Sequence, residues 1–214
     1  MKKSIYFTYI LLGITILTSC YSNSLVQSAN VLKPKQTAIT AAFETSTKNS
    51  EYQVYDLPNF GIRFGVVEGL ELQTKSNLSS FVELGGKYKI LDQSHPYQIA
   101  VGLNFGLIRV PNQFNEIEDK NSDMLITEKV ITAPIYLSKK INQFTIFGGT
   151  KLGYAVESND MLATANLGLA YKLPNTNHTV FCEVYNVQSP KSLNANYNQI
   201  NRYGLSIGVS LNAF

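Results

Sequence analysis

Residues 202–214 read RYGLSIGVSLNAF. From Tyr203 onward every second residue is large and apolar (Tyr203, Leu205, Ile207, Val209, Leu211), and between them stand Gly204, Ser206, Gly208, Ser210 and Asn212. Side chains alternate across a β-strand, so this stretch has one greasy face and one small or polar face. A strand of a soluble sheet has the same period, but its second face meets water and carries Lys, Glu and Thr. Gly, Ala, Ser and Asn suit a crowded interior, where inward side chains meet across a narrow space. The greasy face is then outside, which is stable only in lipid.

The pattern recurs upstream. PNFGIRFGVV (58–67) sets Phe60, Ile62, Phe64 and Val66 against Gly61, Arg63 and Gly65. SFVELGGKYKI (80–90) sets Val82, Leu84, Tyr88 and Ile90 against Glu83, Gly85, Lys87 and Lys89. YQIAVGLNFGL (97–107) opposes Ile99, Val101, Leu103, Phe105 and Leu107 to Ala100, Gly102, Asn104 and Gly106. ATANLGLAYKL (163–173) opposes Leu167, Leu169 and Tyr171 to Asn166, Gly168, Ala170 and Lys172. Gly, Asn, Asp and Pro clusters separate the stretches, and no helical stripe of any length interrupts them.

About ten strands are predicted, near 36–46, 53–66, 70–76, 80–90, 97–109, 126–138, 143–156, 162–173, 179–187 and 200–212. Such segments of roughly ten residues are the signature of a transmembrane barrel, and an even count puts both chain ends on one side. The connections at 67–69, 91–96, 139–142 and 174–178 are short, whereas 110–125 and 188–199 exceed ten residues. With a periplasmic N-terminus the four short turns are periplasmic and the long loops face outward. The predicted fold is all-β: a closed antiparallel up-and-down transmembrane β-barrel of about 10 strands, within a range of about 8–12.

Of the 214 residues, 15% are charged and 44% hydrophobic, and mean hydropathy is −0.04 with a pI near 8.7. Soluble domains carry about 25% charged residues. The net charge of +3 includes Lys2 and Lys3 at the extreme N-terminus, which leaves too little for a nucleic-acid footprint. Those lysines precede an apolar run, Ile5 to Leu17, too short for a spanning helix. The arrangement is that of a secretory signal.

The run ends in LTSC, with Cys20 last. These four residues resemble the lipobox of bacterial lipoproteins: an aliphatic residue, two small residues, and a Cys that becomes the lipidated N-terminus. The resemblance implies a signal peptide over 1–19, a palmitate-bearing Cys20 with a polar tether over 20–36, and the barrel over 37–214. Tyr21 and Ser22 follow, so no Asp marks inner-membrane retention, and the implied anchor is the outer membrane of a Gram-negative cell. Residues 37–214 as a whole resemble small bacterial outer-membrane β-barrel proteins in pattern. The terminal Phe214 resembles the signal read by the barrel-assembly machinery, although it is out of phase with Leu211, Val209 and Ile207, which implies a bulge or a weaker signal.

Candidate chemistry is confined to charges expected to face the lumen: Arg63, Glu71, Glu83, Lys87, Lys151, Lys172 and Glu183. Both signs occur, so pairing across the lumen is the reading that satisfies them, since buried charges are costly alone. The functional alternative is a path for ions or small solutes. His95 and His178, the only histidines, fall in periplasmic turns without neighbouring acidic or Cys ligands, and Cys182 is left without a disulfide partner once Cys20 is lipidated. The acidic stretch Glu116, Glu118, Asp119 and Asp123 lacks the order of a Ca²⁺ loop, and 186–201 is Asn-rich and uncharged apart from Lys191. No metal site, no cofactor and no enzymatic activity are expected. The expected role is structural or interactive at the cell outer membrane, with outer-membrane lipid, the assembly machinery and an unidentified extracellular or periplasmic partner. The rivals are a narrow channel or transporter, and a lipid-tethered periplasmic barrel binding an apolar ligand. The absence of Trp leans towards the last, because aromatic girdles favour Trp and Tyr, but 13 tyrosines can serve.

Overall fold

The computed structural model describes residues 27–48, 57–77, 81–91, 95–111, 125–157, 159–189 and 200–213. Ten strands run through them: β1 (Thr37–Lys48), β2 (Leu57–Val67), β3 (Leu70–Asn77), β4 (Phe81–Lys89), β5 (Tyr97–Pro111), β6 (Leu125–Ile141), β7 (Phe144–Ala155), β8 (Asp160–Lys172), β9 (Thr179–Ser189) and β10 (Ile200–Ala213). Each strand pairs antiparallel with the next, and β1 also pairs with β10, from Thr37↔Ala213 to Lys48↔Arg202. The result is a closed up-and-down barrel of ten strands, the fold the alternation predicts. Closure leaves no unpaired edge.

One end of the barrel, here the turn end, carries the start of β1, the end of β10 and the four tight connections. Gly69 (φ 81°) turns β2 into β3, Asn142 (φ 55°) joins β6 to β7, and Asn175 (φ 58°) lies between β8 and β9. Gly and Asn tolerate this left-handed region. Lys139 and Lys140, expected in a turn, instead extend β6 to Ile141.

The exterior is apolar. Ile62, Leu72, Leu84, Leu103, Phe105, Ile135, Leu152, Leu167, Leu169, Val184 and Ile207 are all exposed. Aromatic side chains mark both margins of this belt: Tyr88, Tyr97 and Phe144 towards the turn end, Phe43, Tyr154 and Tyr203 towards the other, or loop end. Along β6 the outward positions run from Lys129 through Ile131, Ala133, Ile135 and Leu137 to Lys139. Ten residues at about 3.3 Å each, tilted about 40°, span roughly 25 Å along the barrel axis, the height of a bilayer-facing band.

The interior is filled by a cross-strand device. Phe147 stands opposite Gly168, Tyr185 opposite Gly204, Phe181 opposite Gly208 and Asn104 opposite Gly85. In each pair the larger side chain lies over its glycine: a Cβ on Gly168 would meet Phe147 Cζ at 2.3 Å, and one on Gly204 would meet Tyr185 Cζ at 2.0 Å. The small face is thus the complement of the few large inward residues. Two apolar clusters result, one of Ala42, Phe147, Ala170 and Phe181, the other of Phe81, Ile108, Val130 and Ala155. Pro134 breaks one rule of strand chemistry, because it cannot donate to a ladder. The β5–β6 register accordingly skips Gly102 and Leu103, while pairing with β7 continues through Pro134↔Lys151.

Residues 27–36 are not the free tether that their polar composition suggests. Ala29 and Val31 are buried beside Ala100 and Tyr136 on the inner wall. Residues 27–36 therefore lie against the inner wall at the turn end, ahead of β1. Cys20 and Phe214 lie outside the described residues.

Candidate functional site

The polar interior between the two apolar clusters is the candidate site. Its charges reach it through the inward parity of their strands. Nearest the turn end, Lys87 on β4 is fully buried, with its Nζ 2.8 Å from Glu71 Oε1 on β3. Arg63 on β2 lies 3.5 Å from the same oxygen. Lys87 Nζ also donates to Gln27 Oε1 (3.0 Å), Ser28 O (3.1 Å) and Asn30 O (2.9 Å), and the Leu32 amide donates to Glu71 Oε2 (2.8 Å). The ion pair is thus shared between the barrel wall and the inserted N-terminal segment.

One layer deeper, Gln73 Nε2 donates to Asn104 Oδ1 (2.8 Å) and to Tyr136 Oη (3.2 Å). Gln27 Nε2 reaches Gln73 Oε1 and Tyr136 Oη from the segment. Asn104 Nδ2 donates onward to Glu83 Oε1 at 3.1 Å, and Lys151 Nζ meets Glu83 Oε2 at 3.0 Å. Towards β8 and β9, Asn166 Nδ2 donates to the fully buried Glu183 at 2.6 Å; towards β1 and β2, Asn59 donates to Glu44. A cavity of about 30 Å³ sits in this network, lined by Gln27, Arg63, Lys75, Glu83, Asn104 and Lys151 among others. It has room for one or two waters. Asn59 lines it too, and its buried Oδ1 has no protein partner.

Of the seven charges expected in the lumen, Glu71, Glu83, Lys87, Lys151 and Glu183 are buried and Arg63 is nearly so. Lys172 has the inward parity but sits at the last residue of β8, and its side chain is exposed at the rim. Sequence reasoning missed Lys75, which shares the face of Glu71 four residues earlier, and Glu44, which shares that of Ala42. Parity alone identifies both. The contribution of Gln27 to Leu32 had no such signal, because the segment follows no strand period.

His95 and His178 lie at the turn end, His95 exposed. Cys182 faces outward and is exposed. Among the described residues no three His, Cys, Asp or Glu are grouped to hold a metal ion. The Glu116–Asp123 stretch lies outside the described residues, as does Lys191.

No protein-family model and no curated sequence matches the chain. Solved structures do resemble it. The outer membrane protease OmpT from Escherichia coli is 9% identical over 87% of this chain and 100% of its own, with a TM-score of 0.49. An outer membrane channel from Pseudomonas putida F1 is 9% identical over 91% and 100%, at 0.44. The NanC porin is 13% identical over 80% and 98%, also at 0.44.

Proposed function

We propose that this chain is a lipoprotein of the cell outer membrane, anchored through Cys20, whose barrel spans the bilayer and acts as a structural or surface-interaction element without catalysis. One observation carries this reading: the barrel is inside out relative to a soluble protein. Its belt of exposed Leu, Ile, Val and Phe encloses buried, mutually paired Lys, Glu, Asn and Gln. In water that arrangement exposes far more contiguous apolar surface than the few hundred Å² a soluble monomer tolerates. In lipid it is the stable one.

The rivals fare differently. A soluble tethered barrel binding an apolar ligand needs its greasy residues inside, whereas the described interior joins ion pairs to aromatic side chains packed on glycine. A standing pore needs an open lumen, whereas side chains and residues 27–36 fill it. Presentation of the outer connections to a partner outside the cell suits a filled, rigid barrel.

The test is gel mobility of membrane-extracted protein, unboiled against boiled in SDS. A lipid-spanning barrel resists SDS until heated and shifts on boiling. Absence of a shift, with a freely soluble Cys20→Ser chain, overturns the membrane reading. Incorporation of labelled palmitate, lost in Cys20→Ser, tests the anchor separately.

A further inference from the structure

Residues 27–36 form a strap across the turn end of the lumen, and the wall is shaped to receive it. A Cβ on Gly65 would fall 2.0 Å from Lys33 O and 2.9 Å from Leu32 O. Only a glycine lets the strap lie this close. The β2–β3 register shifts between Gly65 and Val67, and Gly65, still in register with Glu71, also bonds to the strap: Lys35 N donates to Gly65 O at 2.8 Å, and Gly65 N to Gln36 O at 2.9 Å.

The strap also covers something. Its inner tip, Gln27, lines the 30 Å³ cavity together with Arg63, Glu83 and Lys151. Thr40 and Asn59 belong to the same cavity lining, and Asn59 donates onward to Glu44, near the loop ends of β1 and β2.

Lys87 gives the strap two tolerable positions. With the strap in place, the buried ammonium is satisfied by Glu71 and three strap oxygens. With the strap lifted, water entering from the turn end replaces those oxygens. Neither state leaves a dry, unpaired charge, the condition that would forbid it. Six residues separate Cys20 from Gln27, a reach of at most about 25 Å over the connecting backbone, so a lipid-anchored strap can withdraw without leaving the mouth.

We infer that residues 27–36 are a removable plug in a narrow polar passage, latched by Lys87 and Glu71, and that the barrel conducts ions and small hydrophilic solutes when the plug lifts. This rests on the membrane-spanning reading proposed above and deepens it. A ten-stranded barrel lies much nearer the filled eight-stranded size than the open sixteen-stranded one, so the passage is narrow.

The experiment is single-channel recording of the full chain in planar lipid bilayers in KCl, beside Lys87→Met and Gly65→Val. Lys87→Met removes the donor of three strap hydrogen bonds; Gly65→Val fills the strap's seat and leaves the ion pair intact. The wild-type chain is expected to rest closed with rare openings. Lys87→Met is expected to raise the open probability by at least about 10-fold to 100-fold, since losing even one hydrogen bond to a charged group has that effect, and Gly65→Val to raise it as well by displacing the strap from its seat. A second readout needs no wall variant: Ser28→Cys in a Cys182→Ser chain, treated with a membrane-impermeant maleimide. Labelling of the folded barrel, faster when Lys87→Met is added, supports the plug. Variants that still shift on boiling in SDS but stay silent, with position 28 labelled only after unfolding, overturn it. A wild-type chain that never shifts on boiling instead removes the membrane reading beneath it.

Discussion

Lys151 on β7 and Glu83 on β4 meet at 3.0 Å across the lumen, between strands that share no ladder. Both are buried, with side chains 4% and 8% exposed. The pair therefore ties together strands three places apart around the barrel, where backbone hydrogen bonding cannot. Removing one partner strands a buried charge, so Lys151→Met is expected to destabilise the barrel by about 3–5 kcal/mol. Replacing both, as Lys151→Met with Glu83→Gln, recovers most of that loss. Denaturant unfolding in lipid vesicles measures the cycle. A single variant as stable as wild type would show that the lumen is wet at this depth.

Leu167 lies near the middle of β8 and is 60% exposed. If its neighbour is hydrocarbon, Leu167→Arg costs about 2–4 kcal/mol, as at a bilayer midplane. Ile141→Arg at the turn end costs about 0–1 kcal/mol on the same scale. Unfolding of both variants in vesicles tests the belt's placement. Equal, small effects would mean that both positions face water.

The exterior was legible because lipid favours apolar residues at most outward positions between Phe60 and Leu211, and period-2 alternation reads directly as two faces. Strand number followed, because turns such as Glu68–Gly69 and Asn142–Gln143 use residues that end strands for steric reasons. The interior was legible only in part. Parity places Glu83 and Lys151 on the inner face but not opposite one another, since cross-lumen pairing depends on barrel circumference and stagger. It also makes Lys172 look like its neighbours, although its place at the end of β8 exposes it. The strap escaped notice altogether. SANVLKPKQ has the composition of a linker, and its burial is determined by Gly65 and Lys87, on elements that lie far along the chain.

Gly204 and Gly208 separate two kinds of crowding. The three atoms nearest a methyl group on Gly204 all belong to the Tyr185 side chain, at 2.0–2.5 Å. At Gly208 it would meet the backbone carbonyl of Ala41 at 2.5 Å as well as Phe181. Both alanine variants are expected to destabilise by about 1–3 kcal/mol, the range for overpacking. Tyr185→Leu should rescue Gly204→Ala, because a side chain can be shortened. Phe181→Leu should not rescue Gly208→Ala, because the carbonyl remains. Thermal unfolding of the two double variants distinguishes the cases, and equal rescue would contradict this geometry.

At the loop end Glu157 closes the β7–β8 turn onto β6. Its Oε2 accepts from the Lys129 amide at 2.6 Å, and its Oε1 lies 2.9 Å from Lys129 Nζ. The Lys129 backbone N–H first, and then its ammonium, hold the Glu157 carboxyl below its ordinary value of 4.5. A carboxylate lowered in the folded state contributes stability above its unfolded value and loses that contribution as pH falls through the folded value. Glu157→Gln should therefore be less stable than wild type near neutral pH, and the gap should close below about pH 4.5, where the wild-type carboxyl takes up its proton. The group is exposed, so the effect is small and shrinks further in high salt. Unfolding midpoints of both chains, measured in vesicles from about pH 7 down to about pH 3, give the comparison. A gap that persists unchanged at the acid end would show that it does not come from the charge of the Glu157 carboxylate.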